Sequence, residues 1–212
     1  PLPVLDLPTD FPRPDLRKTS GAHYFMTFGT SLSGQVKQLI EDTGSTFYMV
    51  LLAVYDIVLS RYTGQRDVIV GSPIAGRYHA DIEDIIGLVI GSVMMRCRPE
   101  PRKNFDDFLA EVKDTTLAAY ENQAYPFEEL LRKIDWTEVP GHGPLTDVAL
   151  IVQDQFSDAT GNLPAGNRFQ GVEPRYGDQH VPAGSKLDIS LYAVERGDNF
   201  VLIFEYCTAL FK

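Results

Sequence analysis

Apolar positions along the chain recur with two periods, about 3.6 and about 2, and these divide it into helices and strands. Residues 23–28 are aromatic and β-branched and predict a short strand. Leu32, Val36, Leu39 and Ile40 then share one helical face, with Thr30 or Ser31 as the cap and Gly44 as the stop. Ser45 or Thr46 caps a second helix that runs to about Tyr62 and closes at Gly64. That helix is apolar nearly all round, which predicts a place between a sheet and other helices. Residues 67–72 read as a buried strand, 73–86 as irregular and 88–97 as strand. Asn104, with Asp107 three residues on, predicts the start of a third helix. Its apolar stripe is Phe105, Phe108, Leu109, Val112, Thr116 and Tyr120. A short helix near Pro126 and an apolar strand at 147–153 follow.

The pattern breaks at 154–185, a polar stretch rich in glycine and proline. Loops this long inside compact domains usually bind something or reach across to something. Two last strands, 186–195 and 200–206, are joined by the hairpin loop Arg196-Gly197-Asp198-Asn199. The order is strand, two helices, two strands, two helices and three strands. It predicts an α/β sandwich with helices packed on one face of a mixed sheet. Residues 1–22 hold five of the 14 prolines, a density that favours an extended connector lying against a surface through Val4, Leu5, Leu7 and Phe11.

Composition narrows the function classes. The chain has 212 residues and a net charge of −10, so any nucleic-acid surface would have to be local. Arg96, Arg98, Arg102 and Lys103 come nearest to a basic cluster, and a strand end followed by a solvated loop accounts for them. The most apolar stretch, 47–55, is far short of the roughly 20 residues a membrane span needs. Two cysteines, Cys97 and Cys207, imply no disulfide framework and point to the cytoplasm. The chain opens at Pro1 rather than Met and carries no signal-peptide pattern, which suggests a piece of a longer protein.

Several strings occur together and in order: DVIVGSPIAGR at 67–77, IGLVIGSVMMR at 86–96 and NQAYPFE at 122–128. PLPVLDLPTDFPRP opens the chain and EYCTALF lies at its end. This set resembles the condensation-domain family of nonribosomal peptide synthetases, and in particular its C-terminal lobe. The resemblance implies a chloramphenicol acetyltransferase-like α/β sandwich, with a connector at 1–22 and a single C-terminal lobe at 23–212. Within that lobe it implies a floor loop near 73–86 and a latch near 154–185. It also implies amide formation between an acyl or peptidyl donor and an aminoacyl acceptor, both delivered on phosphopantetheine arms. The lobe itself would bind no cofactor. Partners would be the N-terminal lobe, donor and acceptor carrier proteins and a neighbouring adenylation domain.

The family's His-His-x-x-x-Asp-Gly motif belongs to the other lobe. Here His23, His79, His142 and His180 include no adjacent pair, so the chain alone is expected not to catalyse. His142 followed by Asp147 has the wrong spacing for that motif and sits in a loop pattern. His79 with Asp81, Glu83 and Asp84 reads as a solvated acidic loop rather than a metal site. By resemblance, the tunnel-lining candidates are Ser72, Arg77, Gly91, Ser92 and Gln123. Ser72 would offer its hydroxyl to the acceptor amine, or simply shape a turn. Arg77 would pair with a carboxylate across the lobe junction, or be solvated. Gly91 and Ser92 stand where the family usually has Asn and Thr, and both are expected to face the tunnel. Ala124 replaces the usual Asp, and the seventh motif survives only as Pro144-Leu145. These departures keep a non-catalytic docking lobe open. A heterocyclization domain also stays open, because its Asp-rich signature would lie in the other lobe. The related epimerization domain shares the fold, with GSPIAGR and NQAYPFE arguing against it.

Overall fold

A computed structural model describes residues 2–77, 79–82, 85–87, 89–153 and 184–212. The elements are β1 (Gly21–Thr27), α1 (Thr30–Thr43), α2 (Phe47–Thr63), β2 (Val68–Ile74), a 3-10 turn (Ala80–Ile82), β3 (Gly91–Cys97), α3 (Phe105–Glu121), α4 (Phe127–Lys133), β4 (Val148–Gln153), β5 (Ile189–Arg196) and β6 (Asn199–Cys207). Their order is the one the periodicity predicts. The ends follow local chemistry. Gly44 and Gly64 take left-handed φ of 57° and 72° and close α1 and α2. Thr46 accepts a hydrogen bond from the Met49 amide, and Asn104 accepts one from the Asp107 amide.

Several boundaries differ from the sequence reading. β1 begins at Gly21 instead of 23, β2 runs on to Ile74, and the hairpin loop shrinks to Gly197-Asp198 because Arg196 and Asn199 pair within β5 and β6. Gly29, not Thr30 or Ser31, flanks α1, and no side chain caps it. β3 starts at Gly91 instead of 88, and β5 at Ile189 instead of 186. Apolar character runs ahead of β3 through 88–90, where composition cannot separate a strand from an apolar loop. Ahead of β5, Asp188 is instead held by Arg13 and by the Asp147 carbonyl.

One mixed sheet carries the strand order β1-β6-β5-β4-β2-β3. β2 and β5 each run parallel to β4; the remaining pairs are antiparallel. Val68, Val70, Val93, Met95, Leu150, Leu191 and Leu202 share a core with Leu52, Leu59, Leu109 and Val112 from α2 and α3. The helices therefore cover one face of the sheet. Coverage of α2 itself is incomplete. α1 and α2 meet at a bend of 106°, and Val54, Val58 and Tyr62 of α2 remain exposed. No single helix among the described residues is long and apolar enough to cross a membrane.

The proline-rich opening is packed, not loose. Leu5 and Leu7 are buried in the main core. The Asp6 amide donates to Gln65 Oε1 at 2.8 Å, and the Asp10 amide donates to the Leu210 carbonyl at 2.8 Å. The stretch 154–183 proposed as most of a latch lies outside the described residues.

Candidate functional site

The sheet register gathers three of the five candidates at one end of β2 and β3. Ser72 opposes Val93, Pro73 opposes Ser92, and Ile74 opposes Gly91. Opposed residues in an antiparallel pair point to the same face, and neighbours along a strand point to opposite ones. Val93 lies in the helix-covered core, so Ser72, Ile74 and Gly91 belong to that face. Ser92 faces the other way. Gly91 and Ser92, both expected to face the tunnel, therefore point to opposite faces of the sheet.

Ser72 is 4% exposed, and its hydroxyl donates to the Leu150 carbonyl at 2.9 Å. Its proton is held inside the sheet, which leaves its oxygen as an acceptor. The Tyr48 hydroxyl is buried nearby with no hydrogen-bond partner. Burial pushes its pKa up, and the neighbouring Ser72 offsets this only in part. At Gly91, a Cβ would meet Ile74 Cγ1 at 3.2 Å and Cδ1 at 3.3 Å. A larger side chain there must push Ile74 aside.

The chain past β2 is shaped by Gly76 and Arg77. Gly76 has φ of 65°, and a Cβ on it would lie 1.7 Å from the Val89 carbonyl oxygen. Only glycine tolerates both conditions. Arg77 donates from Nη1 to the Ile82 carbonyl at 2.7 Å and from Nη2 to the Ile85 carbonyl at 3.0 Å. It is exposed and ties its own loop together. The loop shows apolar surface at Ile85 and Ile86, and Ile90 is exposed just before β3. Gln123 lies in the turn between α3 and α4, half-buried, with its amide donating to the Tyr120 carbonyl. No hydrogen bond among the described residues joins its side chain to the other four candidates.

At the N-terminal ends of β4 and β5, a second polar group of residues escaped the sequence reading. Asp147 and Asp188 are almost fully buried. Arg13 donates to both Asp188 oxygens, at 3.1 and 2.5 Å. Arg17 Nη2 reaches Asp147 Oδ1 at 2.7 Å and Asp188 Oδ1 at 3.5 Å. His142 Nδ1 lies 2.5 Å from Asp147 Oδ2, and the Gly143 amide donates to Oδ1 at 2.7 Å. His142 and Asp147 therefore do meet, although not as a catalytic motif. They form part of a clasp that fastens the connector to the sheet. The signal was available as Arg13, Arg17, Asp147 and Asp188, but their separation along the chain hid it.

A third polar feature lies in the core. Asp56 on α2 is fully buried, and neither carboxylate oxygen has a hydrogen-bond partner. Burial pushes its pKa up to about 8, partly relieved by the adjacent Cys97 thiol. Burial, with Asp56 beside it, pushes the Cys97 thiol up as well, so it is no nucleophile at neutral pH. Cys97 and Cys207 are free and buried. Among the described residues no three His, Cys, Asp or Glu side chains converge as a metal site. The His79 and Asp81 pair is exposed, with 3.5 Å between Nδ1 and a carboxylate oxygen.

Comparison with known proteins adds to this geometry. The family model described as "Condensation domain" matches residues 1–212. Tyrocidine synthase 3 of Brevibacillus parabrevis is 40% identical over 211 residues, covering 100% of this chain and 3% of that protein. Gramicidin S synthase 2 of Brevibacillus brevis is 39% identical over 216 residues, covering 99% of this chain and 5% of that protein. The chain thus spans a small fraction of the length of these relatives. Among solved structures, the X-domain from teicoplanin biosynthesis superposes with a TM-score of 0.80 at 20% identity, covering 98% of this chain and 46% of that one. That likeness speaks for the fold alone.

Proposed function

The chain belongs to the condensation-domain family, and from that premise we propose that it is the C-terminal lobe of a domain that forms amide bonds in nonribosomal peptide synthesis. In this reading it supplies one wall of a tunnel, and an N-terminal lobe bearing a histidine pair supplies the other. Donor and acceptor carrier proteins present acyl and aminoacyl groups on phosphopantetheine arms, and an adenylation domain lies nearby. The lobe binds no cofactor of its own and is inactive alone.

The observation that supports the reading is the meeting of two family strings at one sheet end, where β2 and β3 bring Ser72 and Gly91 to one face and Ser92 to the other. Amide formation requires an amine held against a thioester carbonyl, with help for the moving proton. Ser72, its proton bound to Leu150, presents an acceptor lone pair suited to an amine N–H. Arg77 fixes the loop beneath the tunnel, Gly91 widens the space beside Ile74, and Ser92 and Gln123 contribute at its margins.

The test is an intact module in which this lobe follows an N-terminal lobe with the histidine pair. Carrier-bound donor and acceptor are mixed and amide product is read by mass spectrometry. Product is expected from the joined lobes and none from this chain alone. Absence of product with a competent N-terminal lobe overturns the reading. A second reading, a lobe that docks carrier proteins without turnover, draws support from the burial of Ser72. Carrier binding without product in the same assay would favour it.

A further inference from the structure

We propose that the outer side of the C-terminal half of α2, with the cleft beside it, docks an acidic amphipathic helix of a partner protein. α2 is apolar nearly all round, yet from Val54 onward one side of it is left open. Val54, Val58 and Tyr62 stand 42%, 43% and 71% exposed. They follow one another at i, i+4 and i+8, a row about 12 Å long on one helical face. A row with helical spacing is complementary to another helix laid along it.

Charge selects the kind of helix. Arg61 lies within the same face, and Arg66 follows just beyond Gly64. Neither has an ion-pair partner among the described residues. Both line a cleft of about 350 Å³ whose lining also includes Ile57, Phe105 and Phe108. Lys103 also lines it but is bound to Glu111, and Glu100 is the one carboxylate among the lining residues. The chain as a whole carries −10, so an acidic partner is repelled elsewhere and attracted at this corner. A second copy of the chain fits poorly, because two-fold pairing of this face would bring Arg61 towards its own counterpart. The row is short, so contact of this size belongs to the weak, transient class.

The test uses a fluorescein-labelled helical peptide of about 16 residues, with leucines at i, i+4 and i+8 flanked by glutamates. Its anisotropy is followed as the 212-residue chain is added. A control peptide carries lysines in place of the glutamates. Saturable binding of the acidic peptide is expected, and none of the lysine peptide. Arg61→Glu with Arg66→Glu, and separately Val58→Asp, should each weaken binding about ten-fold, a loss of ~1.4 kcal/mol. All three positions are exposed, and far-UV circular dichroism confirms that the variants keep the fold. The proposal is overturned if the acidic peptide does not saturate, if the lysine peptide binds equally, or if the variants bind unchanged. Sedimentation showing self-association that Val58→Asp abolishes would overturn it too.

Discussion

Asp56 is the residue most at odds with its surroundings. Its ordinary pKa of about 3.9 in the unfolded chain is pushed up to about 8 by burial in the fold. The folded state therefore holds this proton more tightly than the unfolded state does. Its contribution to stability is full below about pH 4, falls as pH rises towards 8, and then levels off. Over that window the loss from this group reaches at most about 5–6 kcal/mol, at ~1.36 kcal/mol per unit. Asp56→Asn removes the ionisation while keeping size and polarity. Thermal melts from pH 5 to pH 9 should show the wild-type chain losing more stability than Asp56→Asn across this range. Parallel curves for the two proteins would mean that the carboxyl is not protonated in the native core. In the sequence Asp56 merely follows the apolar run 47–55. A helix apolar on every side gives no sign of which polar residue it turns inward. Gly91 was legible as a departure from the family pattern. Its physical meaning, contact between a would-be Cβ and Ile74, needed the register of β2 against β3.

Elements were legible where a periodic run ends in a cap or a glycine, and α2 and α3 are the clearest cases. They were not legible where the sequence bears the right residues in unused positions. Thr30 and Ser31 suit an N-cap, but the chain turns one residue earlier, at Gly29. The clasp was hidden for another reason. Arg13 and Asp188 are 175 residues apart, and no local pattern reports such a pair. Residues 2–19 have neither helix nor strand of their own, so their order depends on these ions and on Leu5 and Leu7. Gly141 shows how closely the loop before β4 fits it: a Cβ there would lie 2.4 Å from the Pro14 carbonyl oxygen. Removing one partner of a buried pair strands the other charge, at a cost of about 3–5 kcal/mol. Asp188→Ala is therefore expected to destabilise the chain by that amount in urea unfolding. Arg13→Ala and Asp188→Ala combined should cost less than the sum of the two, because the double variant leaves fewer charges unpaired. Strict additivity would show that the pair is not coupled.

At the scale of the molecule, hydrophobic period tells which residues face a core but not which strand lies beside which. The order β1-β6-β5-β4-β2-β3 places the last strand between the first and the fifth, and no single-strand pattern encodes that. The connector follows from the same arrangement. It runs from Gln65, past Leu210 near the C-terminal end, to Asp147 and Asp188, and so touches parts of the chain that are remote from each other in sequence. Deleting residues 1–19 would expose the core sites of Leu5 and Leu7, about 2 kcal/mol each. It would also leave Asp147 and Asp188 buried without arginines, several kcal/mol more. A domain of this size has only about 5–15 kcal/mol in total. The loss therefore consumes most or all of its stability. The shortened chain should show no cooperative melt, bind a hydrophobic dye and exchange its amides rapidly. Deleting only 1–3, which supplies neither a core leucine nor an arginine, should leave the melt nearly unchanged. If the chain lacking 1–19 unfolded cooperatively at the wild-type temperature, the opening segment would be a passive linker and the buried carboxylates would have to find other partners.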